Sequence, residues 1–530
     1  MQTSAATASY RMSLAQIVRR GRQLRGDAPA LIDDDATISW AQFADRIARL
    51  AAGFRALGLQ DNDRVAMLSD NSARFIEACF ATPWAGGVFT PLNHRLSAEE
   101  IVAILRDCGA RILIADATFA HLAEAVAADV ALDHIVSATP GAPSRQGWTA
   151  YDSLIEQCAP ADDAGRCGDD LAALFYTSGS TGQPKGVMHS HANILAAGFG
   201  VVPAYGLDEE SVALISGPLF HVGAMGLAIP TLMAAGALSI LPRFDAARVL
   251  ERIETHHVTI TAGVPTMMRM LLEHPECRRR DLSSLRRVPF GGAPMPPALL
   301  AQLLDVMPKA RFLHSYGMTE TVSSCSSLPD VWLRPERATR GKAQSIGRAL
   351  LGVEISIRDP QDNDVAAGVV GEIVVRGPCV TQGYWNKPAA TAQTLRGGWL
   401  HTGDLGRLDE DGFLYIVDRL KDMIITGGEN VYSTEVEDVI YAYPGVSQCA
   451  VIGVPDARWG EAVHAIVAAR DGADIDPDAL IAHCRARIAH YKCPRTIEMR
   501  REPLPLSGAN KINKPALRAP FWKDRQGALV

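Results

Sequence analysis

The sequence predicts an α/β fold: a large N-terminal domain of mainly parallel sheets covered by helices, and a small, mobile α+β C-terminal domain. Three observations lead to this prediction. The chain has 530 residues, more than one hydrophobic core normally serves. Up to about residue 400, short apolar runs alternate with longer amphipathic stretches. Beyond that point the pattern changes to two short strands around a charged turn, followed by a new helix and strand pattern.

The alternation of strand-like and helix-like segments begins in the N-terminal part of the chain. A run at 64–70 is followed by a helix-like stretch at 73–87, and a run at 110–116 by a stretch at 117–128. The same order returns twice within 238–274. Strands that alternate with helices indicate parallel sheets covered by helices, and such sheets bind ligands at the carboxyl ends of their strands.

Residues 222–241 carry no charge over a length typical of a membrane span. They contain three glycines and a central proline, and they stand alone between polar segments. This pattern predicts a helix and a strand buried in the core, and no stable membrane insertion. The N-terminal residues lack the continuous apolar segment of a secretory signal, which predicts a cytoplasmic location.

We place the domain boundary at the charged connector that begins at Asp418, which gives domains of 1–418 and 419–530. A charged, exposed connector between two compact units is where relative domain motion is expected.

The composition limits the classes of function. A net charge of −7 leaves no basic surplus, so nucleic acid is not an expected partner. The ten cysteines form neither a CxxC pair nor a repeated spacing, which indicates no zinc site and no disulfide framework.

The most informative stretch is 176–187, which reads YTSGSTGQPKGV and follows the apolar run 171–175. Glycine lets backbone N–H groups face a ligand directly, and this suits a phosphate. The Walker pattern needs glycine directly before its lysine and Ser or Thr directly after it, whereas Lys185 lies between Pro184 and Gly186. The sequence therefore predicts a buried strand followed by a polyphosphate-binding loop of another kind, with a Ser/Gly linker as the alternative.

Five further motifs follow this loop along the chain. In order, the set is YTSGSTGQPKGV (176–187), GGAP (291–294), HSYGMTE (314–320), GWLHTGDLG (398–406), DRLKDMIITGGENV (418–431) and SGANKI (507–512). Together they resemble the adenylate-forming superfamily, which contains acyl-CoA synthetases, adenylation domains of peptide synthetases, and luciferases. Within it, the chain looks most like bacterial fatty-acid-CoA ligases.

The resemblance implies an AMP-forming acid–thiol ligase that uses ATP, Mg²⁺ and coenzyme A. A carboxylate attacks the α-phosphate of ATP to give acyl-adenylate and pyrophosphate, and a thiol then displaces AMP. The ATP and acyl pockets belong to 1–418, and the catalytic lysine belongs to the cap domain 419–530. The implied partners are small molecules, and a homodimer is left open.

By resemblance, the phosphates are held by the loop and by the motif that ends at Glu320. Glu320 is the implied ligand of Mg²⁺, a hard cation that prefers carboxylate and phosphate oxygens. The implied loop contacts are Thr177, Ser178, Gly179, Ser180, Thr181, Gly182 and Lys185. The implied catalytic residues are Lys511, Thr177, Lys185, Thr319 and Glu320.

The resemblance also implies an adenosine site. Asp404 would accept both ribose hydroxyls, since an ionised carboxylate offers only acceptor lone pairs. Arg419 is the second implied ribose or phosphate contact, Tyr316 would stack on the adenine, and Thr319 would touch the α-phosphate. The other implied contacts are Gly292, Ala293, Pro294, His314, Ser315 and Gly317.

Lys511 corresponds to the lysine that the family uses to reach the substrate carboxylate and the α-phosphate. Asn510 stands where relatives usually have glycine, and asparagine tolerates left-handed backbone geometry. Lys514 is the rival candidate. The cap is expected to pivot at Lys421, so that Gly427 and Gly428 line a thiol entry path in the second step.

The acyl pocket of the family lies beside the segments PLFH, GGAP and YGMTE. Here these contribute an apolar wall made of His221, Val222, Met225, Gly291, Met318 and Val322, with Ser323 beside them. Relatives that activate amino acids usually place an aspartate near PLFH, which disfavours that class. A medium- or long-chain fatty acid is the first expectation, and a hydroxycinnamate or benzoate type of acid is the alternative.

Two other classes of function remain as alternatives. A luciferase-like enzyme would share the adenylation step and consume oxygen. A non-catalytic nucleotide-binding relative would release no pyrophosphate, although the presence of Lys511, Glu320 and Asp404 argues against it.

Overall fold

The structure is a computed structural model of the whole chain. It describes residues 12–34, 36–139, 147–178, 184–293, 295–334, 341–470, 472–506 and 512–523. Contacts divide the chain into two compact units, residues 1–354 with 375–400 and residues 355–374 with 401–530. The predicted boundary at 418/419 stays a prediction.

Two β-sheets form the centre of the first unit. Their strands are β1 Pro29–Asp33, β2 Ala36–Ser39, β3 Arg64–Leu68, β4 Val88–Pro91, β5 Ala110–Ala115, β6 His134–Ser137, β7 Thr149–Ala150, β8 Leu171–Ser178, β9 Pro184–Ser190, β10 Val212–Ile215, β11 Ala237–Ile240, β12 Ile260–Thr261, β13 Arg287–Gly291, β14 Arg311–Gly317, β15 Ser324–Leu328 and β16 Arg348–Ala349. One sheet has the order β7-β6-β5-β3-β4-β8-β9, and the other has the order β16-β15-β14-β13-β12-β10-β11-β1-β2.

Both sheets are parallel in the middle and antiparallel at an edge. In the first sheet β8 pairs in parallel with β4, whereas β9 pairs antiparallel with β8. In the second sheet β13 and β14 are parallel, and β15 is antiparallel to β14. The carboxyl ends of β8, β13 and β14 carry the predicted phosphate and adenosine motifs.

Helices cover these sheets, as the alternating sequence pattern predicts. The helices of the first unit are α1 Ala15–Arg25, α2 Trp40–Ala56, α3 Ala73–Trp84, α4 Ala98–Cys108, α5 Ala120–Ala127, α6 Tyr151–Gln157, α7 His191–Tyr205, α8 Val222–Met233, α9 Ala246–Thr255, α10 Pro265–Glu273, α11 Pro297–Val306 and α12 Pro388–Thr394. Short 3₁₀ helices span Ala117–Phe119, Pro275–Arg278, Thr319–Thr321, Asp330–Trp332 and Lys342–Gln344.

Local sequence signals fix both ends of α7, the helix that ends beside the candidate site. The Ser190 hydroxyl accepts the Asn193 N–H and the Asn193 side chain bonds back to the Ser190 N–H, which forms a capping box at the start of α7. Gly206 adopts φ +60° and ends α7 at Tyr205, because a left-handed residue terminates a helix. The side chain of Tyr205 is thereby placed at a defined position on the last turn.

The uncharged segment 222–241 forms α8 followed by β11, both largely buried. This confirms the prediction of a core helix and strand. Among the described helices, none is both long and apolar enough to cross a membrane.

Residues of the second unit build most of another sheet. Its strands are β17 Glu354–Arg358, β18 Gly371–Arg376, β19 Leu395–Arg396, β20 Trp399–Leu408 and β21 Leu414–Arg419. Their order is β17-β18-β20-β19, and β21 pairs antiparallel with β20.

The C-terminal part has its own small sheet and core. Its elements are β22 Ile424–Thr426, β23 Glu429–Val431, α13 Ser433–Tyr441, β24 Val446–Asp456, β25 Gly460–Ala469, α14 Pro477–Arg485, a 3₁₀ helix His490–Lys492, β26 Thr496–Arg500 and α15 Lys514–Trp522. The sheet order is β23-β22-β25-β24, with β26 parallel to β25. The predicted α/β fold with a smaller α+β part is confirmed.

Candidate active site

The predicted phosphate loop connects the two strands of an antiparallel hairpin. Thr177 on β8 pairs with Lys185 on β9, and Tyr176 pairs with Gly186. A Cβ atom added to Gly186 would lie 2.9 Å from the Tyr176 ring, so the glycine that follows Lys185 is needed for this close approach. The predicted contacts Gly179, Ser180, Thr181 and Gly182 and the side chain of Ser178 lie outside the described residues.

The segment 381–385 runs alongside β9 and brings an aromatic ring to the lysine. The Trp385 N–H donates to the Gly186 carbonyl oxygen at 2.8 Å, and Val187 forms a bridge with Tyr384. The Lys185 ammonium lies 5.0 Å from the centroid of the Tyr384 ring. A cation at this distance from an aromatic face is attracted by the ring, so Tyr384 helps to orient Lys185.

Glu320 lies on the other side of the same tyrosine. It belongs to the 3₁₀ turn Thr319–Thr321 and is 7% exposed. The Tyr384 hydroxyl donates to Glu320 Oε1 at 2.7 Å, and the Thr381 N–H donates to the Glu320 carbonyl oxygen at 2.8 Å. Burial raises the pKa of Tyr384, so its hydroxyl keeps the proton that it donates. Tyr384 thus connects the predicted phosphate lysine to the predicted magnesium ligand.

Sequence reasoning did not select Tyr384. The signal that could have found it is the aromatic pair Tyr384 and Trp385, enclosed by Gly383 and Asn386 in the segment that follows β18. Aromatic residues in a polar, glycine-bearing loop are more informative than aromatic residues inside a strand.

The residues around Glu320 fit a magnesium ion held jointly with a nucleotide. Mg²⁺ is usually bound by one or two carboxylates together with phosphate oxygens and water, rather than by a cage of protein ligands. The described residues contain no group of three or more His, Cys, Asp or Glu side chains arranged for a metal. A single buried carboxylate is the donor set that such shared coordination requires.

Strands β13 and β14 place two glycine-bearing motifs side by side. Gly291 pairs with Ser315, and a Cβ atom at Gly291 would overlap the Ser315 carbonyl oxygen. Gly292 has φ +77°, which glycine adopts without strain. Ala293 is exposed beside it, and Pro294 lies outside the described residues. Gly291 and Gly292 therefore add no side chain at the end of β13, and their proposed contact with the adenine ring stays a prediction.

The HSYGMTE segment is partly a packing element. The His314 ring stacks on Phe290 at 4.7 Å and its Nδ1 lies 3.2 Å from the Ser345 carbonyl oxygen. Burial lowers the pKa of His314 to about 4, so it is neutral at physiological pH. Tyr316 is buried, and a Cβ atom at Gly317 would overlap the Ser323 carbonyl oxygen. The contacts proposed for these three residues with a nucleotide stay predictions.

The predicted acyl-pocket residues lie at the start of α8 and in the turn after Glu320. His221 precedes α8, Val222 begins it, and Met225 is buried in it. Val322 follows the Thr319–Thr321 turn with φ +63°, a strained value for a β-branched residue. The Thr321 hydroxyl stabilises this turn because it lies 2.7 Å from the Ser323 carbonyl oxygen and 3.1 Å from that of Met318.

A group of hydroxyls lies beside these residues, and the sequence prediction of an apolar wall omitted it. The Tyr205 hydroxyl donates to Ser315 Oγ at 2.9 Å and lies 3.0 Å from Ser324 Oγ. We call these three residues the hydroxyl cluster. Tyr205 is buried, whereas both serines are partly accessible. Burial raises the pKa of Tyr205, so the phenol stays protonated.

The predicted ribose contacts meet in the second unit. Asp404 on β20 pairs in register with Arg419 on β21, and Asp404 Oδ1 lies 3.6 Å from Arg419 Nε. The Gly403 N–H donates to Glu372 Oε1 at 3.0 Å, and the Thr402 hydroxyl donates to the Ile373 carbonyl oxygen at 2.7 Å. The part of β20 that presents Asp404 is therefore fixed by residues of the neighbouring strand β18.

Gly427 and Gly428 form the two-residue turn between β22 and β23. Their φ angles are +62° and +84°, which a hairpin turn of this length requires. A Cβ atom at Gly427 would also lie 2.7 Å from the Trp459 ring. The TGGEN motif thus has a local structural reason, and the thiol path beside it stays a prediction.

The two candidate lysines differ in what the structure describes. Lys511 lies outside the described residues. Lys514 Nζ lies 2.7 Å from Glu437 Oε1 and donates to Ser433 Oγ at 2.7 Å. Burial raises the pKa of Glu437 and the Lys514 ammonium opposes this rise. Lys514 is therefore held in a largely buried ion pair. Lys421 is exposed at the turn after β21, as the hinge prediction requires.

Comparison with known proteins identifies the family. Residues 18–385 match the family described as AMP-binding enzyme, and residues 435–511 match the AMP-binding enzyme C-terminal domain. A feruloyl-CoA synthase from Amycolatopsis sp. is 41% identical over 95% of this chain and 98% of its own length. The long-chain-fatty-acid–CoA ligase FadD13 of Mycobacterium tuberculosis is 36% identical over 92% of this chain and 94% of its own length.

A solved structure agrees with these relatives. ATP-bound MatB from Rhodopseudomonas palustris superposes with a TM-score of 0.86 at 32% identity, covering 97% of this chain and 99% of that one. The ATP-dependent acid–thiol ligases of this family use ATP and CoA as substrates. This chain is an acyl-CoA ligase of the AMP-binding enzyme family, within the adenylate-forming superfamily.

Proposed function

We propose that this acyl-CoA ligase activates an aromatic monocarboxylic acid of the hydroxycinnamate or benzoate type. The observation that carries the choice is the position of Tyr205. Its hydroxyl joins α7 to both β14 and β15 through Ser315 and Ser324, and Ser315 pairs with Gly291 of the predicted acyl wall. A long alkyl chain that continued past this point would have to separate these hydrogen bonds, each worth about 1 kcal/mol. A compact ring would not.

Two relatives bear on the same choice. The relative named as a feruloyl-CoA synthase shares 41% identity with this chain, and the relative named as a long-chain fatty-acid ligase shares 36%. Sequence motifs alone placed the fatty acid first, whereas the hydroxyl cluster supports the opposite order. A medium- or long-chain fatty acid stays the second candidate, because Val222, Met225 and Val322 give one side of the wall an apolar surface.

In the first half-reaction a carboxylate oxygen of the acid attacks the α-phosphorus of ATP, and pyrophosphate leaves with the bridging oxygen. The main obstacle is the approach of an anion to a polyanion, so fixed positive charge and oriented donors provide most of the rate enhancement. Lys185 and the hydroxyls of 177–181 would hold the β- and γ-phosphates. Glu320 would hold Mg²⁺ together with phosphate oxygens, and the ion when bound offsets phosphate charge.

The remaining groups of the first step orient the nucleotide and the acid. Thr319 would donate to the α-phosphate and Asp404 would accept both ribose hydroxyls, with Arg419 beside it. Lys511 would neutralise charge between the carboxylate and the α-phosphate. The pairing of Lys514 with Glu437 supports this assignment, because a lysine already engaged in a buried ion pair is not available for the substrate.

In the second half-reaction the sulfur of CoA attacks the acyl carbonyl carbon, and AMP leaves as the carbonyl carbon–oxygen bond breaks. Lys511 is then no longer needed at the carboxylate. A pivot of the cap at Lys421 would withdraw Lys511 from the site and bring the Gly427–Gly428 turn to it. We propose a cytoplasmic enzyme, consistent with substrates that are ATP and CoA.

An acid panel tests the proposed function. We would measure pyrophosphate, AMP and thioester with ATP, Mg²⁺, CoA and each of benzoate, cinnamate, 4-hydroxycinnamate, octanoate and palmitate. We expect all three products and the highest kcat/KM with an aromatic acid. A clear preference for octanoate or palmitate would overturn the aromatic assignment and leave the ligase class intact. Pyrophosphate from no acid would argue for a binding protein, and oxygen consumption would argue for the luciferase-like alternative.

A further inference from the structure

The hydroxyl cluster contains more hydrogen-bond donors than its internal bonds use. Tyr205, Ser315 and Ser324 have three hydroxyl hydrogens, and the two internal bonds use two of them. The Tyr205 hydrogen goes to Ser315 Oγ, so the 3.0 Å contact with Ser324 is donated by that serine. Within the described residues, neither serine side chain has another hydrogen-bond partner. The hydrogen of Ser315 and the lone pairs of Ser324 are therefore left for a ligand.

Both serines lie next to residues of the predicted acyl wall, since Ser315 pairs with Gly291 and Ser324 follows Val322 by two residues. Ser315 pairs with Gly291 of the GGAP strand, and Ser324 pairs with Gly317 of the YGMTE turn. Neither glycine has a side chain that could cover its neighbour. Ser323, which directly precedes Ser324, lies so close to Gly226 of α8 that a Cβ atom added to Gly226 would overlap the Ser323 hydroxyl. The turn thus packs onto α8 at 323, while Ser315 and Ser324 stay partly accessible.

A buried hydrogen-bond donor without a partner is destabilising once a ligand excludes water from the pocket. An unsubstituted ring would leave Ser315 in that state. A ring oxygen would remove the cost, since a methoxy oxygen accepts the Ser315 hydrogen and a phenol also donates to Ser324. Tyr205 bonds to both serines and restricts their rotation, so the geometry is prepared before the ligand binds.

We propose that the hydroxyl cluster is a specificity determinant that recognises a hydroxyl or methoxy group on the ring of the acid. This inference rests on the proposed function, because it assumes that the acyl pocket accepts an aromatic acid. The alternative is that the cluster only ties α7 to β14 and β15. In that case the two serines stabilise the fold and have no effect on the choice between acids.

The test compares cinnamate, 4-methoxycinnamate and 4-hydroxycinnamate in the parent protein and in Ser315→Ala and Ser324→Ala. The measured quantity is kcat/KM for pyrophosphate release at saturating ATP. The ratio of kcat/KM for two acids is measured within one variant. A smaller fraction of folded protein lowers both values equally and leaves this ratio unchanged. The matched control is Ser326→Ala on β15, the strand that also carries Ser324. The Ser326 hydroxyl donates to the Ile346 carbonyl oxygen at 2.8 Å and is not part of the hydroxyl cluster.

We expect the parent protein to prefer 4-hydroxycinnamate over cinnamate by about tenfold, the value of one or two hydrogen bonds. In Ser315→Ala, kcat/KM for each of the two substituted acids, divided by kcat/KM for cinnamate, should fall close to one. Ser324→Ala should reduce the preference for the phenol more than that for the methoxy acid. Ser326→Ala should leave every ratio unchanged.

The two failures are distinguishable. If the parent activates all three aromatic acids equally, or if the serine variants keep its ratios, the cluster is structural and the inference is overturned while the aromatic assignment stands. If the parent activates fatty acids and none of these aromatic acids, the proposed substrate class is overturned and the inference with it.

Discussion

Tyr384→Phe removes a single oxygen atom and tests whether Tyr384 acts through Glu320. The hydroxyl donates to Glu320 Oε1 at 2.7 Å, and the ring lies 5.0 Å below the Lys185 ammonium. Phenylalanine keeps the ring and its contact with Lys185. The variant therefore separates the orientation of the carboxylate from the orientation of the lysine.

The magnitude follows from the type of bond. A hydrogen bond to a charged group contributes about 1.5–3 kcal/mol, and Glu320 is almost fully buried. If this energy serves to hold the carboxylate in its working position, its loss lowers the adenylation rate by about 10- to 150-fold. Because the proposed partner of Glu320 is Mg²⁺, the concentration of Mg²⁺ needed for half-maximal rate should rise as well.

Pyrophosphate release during a Mg²⁺ titration measures both effects, with the best acid of the panel and saturating ATP. The control is Tyr415→Phe, which removes another tyrosine hydroxyl that donates to a carboxylate, at 3.0 Å from Asp409 Oδ2. Tyr384→Ala, which also removes the ring, should lose more than Tyr384→Phe. A Tyr384→Phe protein with the parental rate and Mg²⁺ dependence would refute the proposed link.

The remaining predictions concern the cap and the core. Lys511→Ala should abolish adenylation but leave thioester formation from a supplied acyl-adenylate within a small factor, and equal loss in both assays would show that the lysine is misassigned. Lys514→Ala should instead lower the free energy of unfolding by about 3 kcal/mol, because it leaves Glu437 buried and unpaired; denaturant unfolding measures this, and an unchanged midpoint would contradict it. Lys421→Pro should slow thioester formation more than adenylation, because proline restricts φ at the pivot; normal rates in both steps would remove Lys421 as the hinge. Burial lowers the pKa of His189 to about 3, so only the unfolded state takes up its proton as the pH falls below about 6.5, and this histidine should contribute about 2 kcal/mol to the loss of stability between pH 7 and pH 5. His189→Gln should flatten that dependence, and an identical pH profile would contradict the assignment.

The sequence predicted the alternation of strands and helices well because those signals are local. The apolar run 171–175 lies within β8, and the uncharged segment 222–241 contains α8 and β11. The sequence did not predict that β9 returns antiparallel to β8. A run such as PKGVMHS mixes small and polar residues, and only pairing with β8 and with the segment around Tyr384 makes it a strand.

The site was predicted as motifs, whereas its connections come from tertiary structure. Lys185 and Glu320 are far apart in the chain, and Tyr384, which contacts both, belongs to neither motif. Tyr205 was likewise missed, since nothing in the sequence around it distinguishes a helix-ending tyrosine from an ordinary core residue. Contacts between side chains that are distant in sequence have no local signature. Sequence motifs therefore identify Lys185 and Glu320, but not the tyrosine that contacts both.

Ser315 illustrates why a motif fixes a position more reliably than a role. The HSYGMTE pattern placed it among the nucleotide contacts, which stays a prediction, and in the structure its hydroxyl accepts from Tyr205, which also contacts Ser324. Neighbouring residues of a strand point to opposite faces, so Ser315 and Tyr316 cannot both serve the same surface. If Tyr316 faces the adenine, then the Ser315 side chain points to the other side of β14, where it meets the Tyr205 hydroxyl of α7. The same alternation that keeps the Tyr316 ring available for the predicted nucleotide contact therefore leaves the Ser315 hydroxyl for the acid contact that we propose.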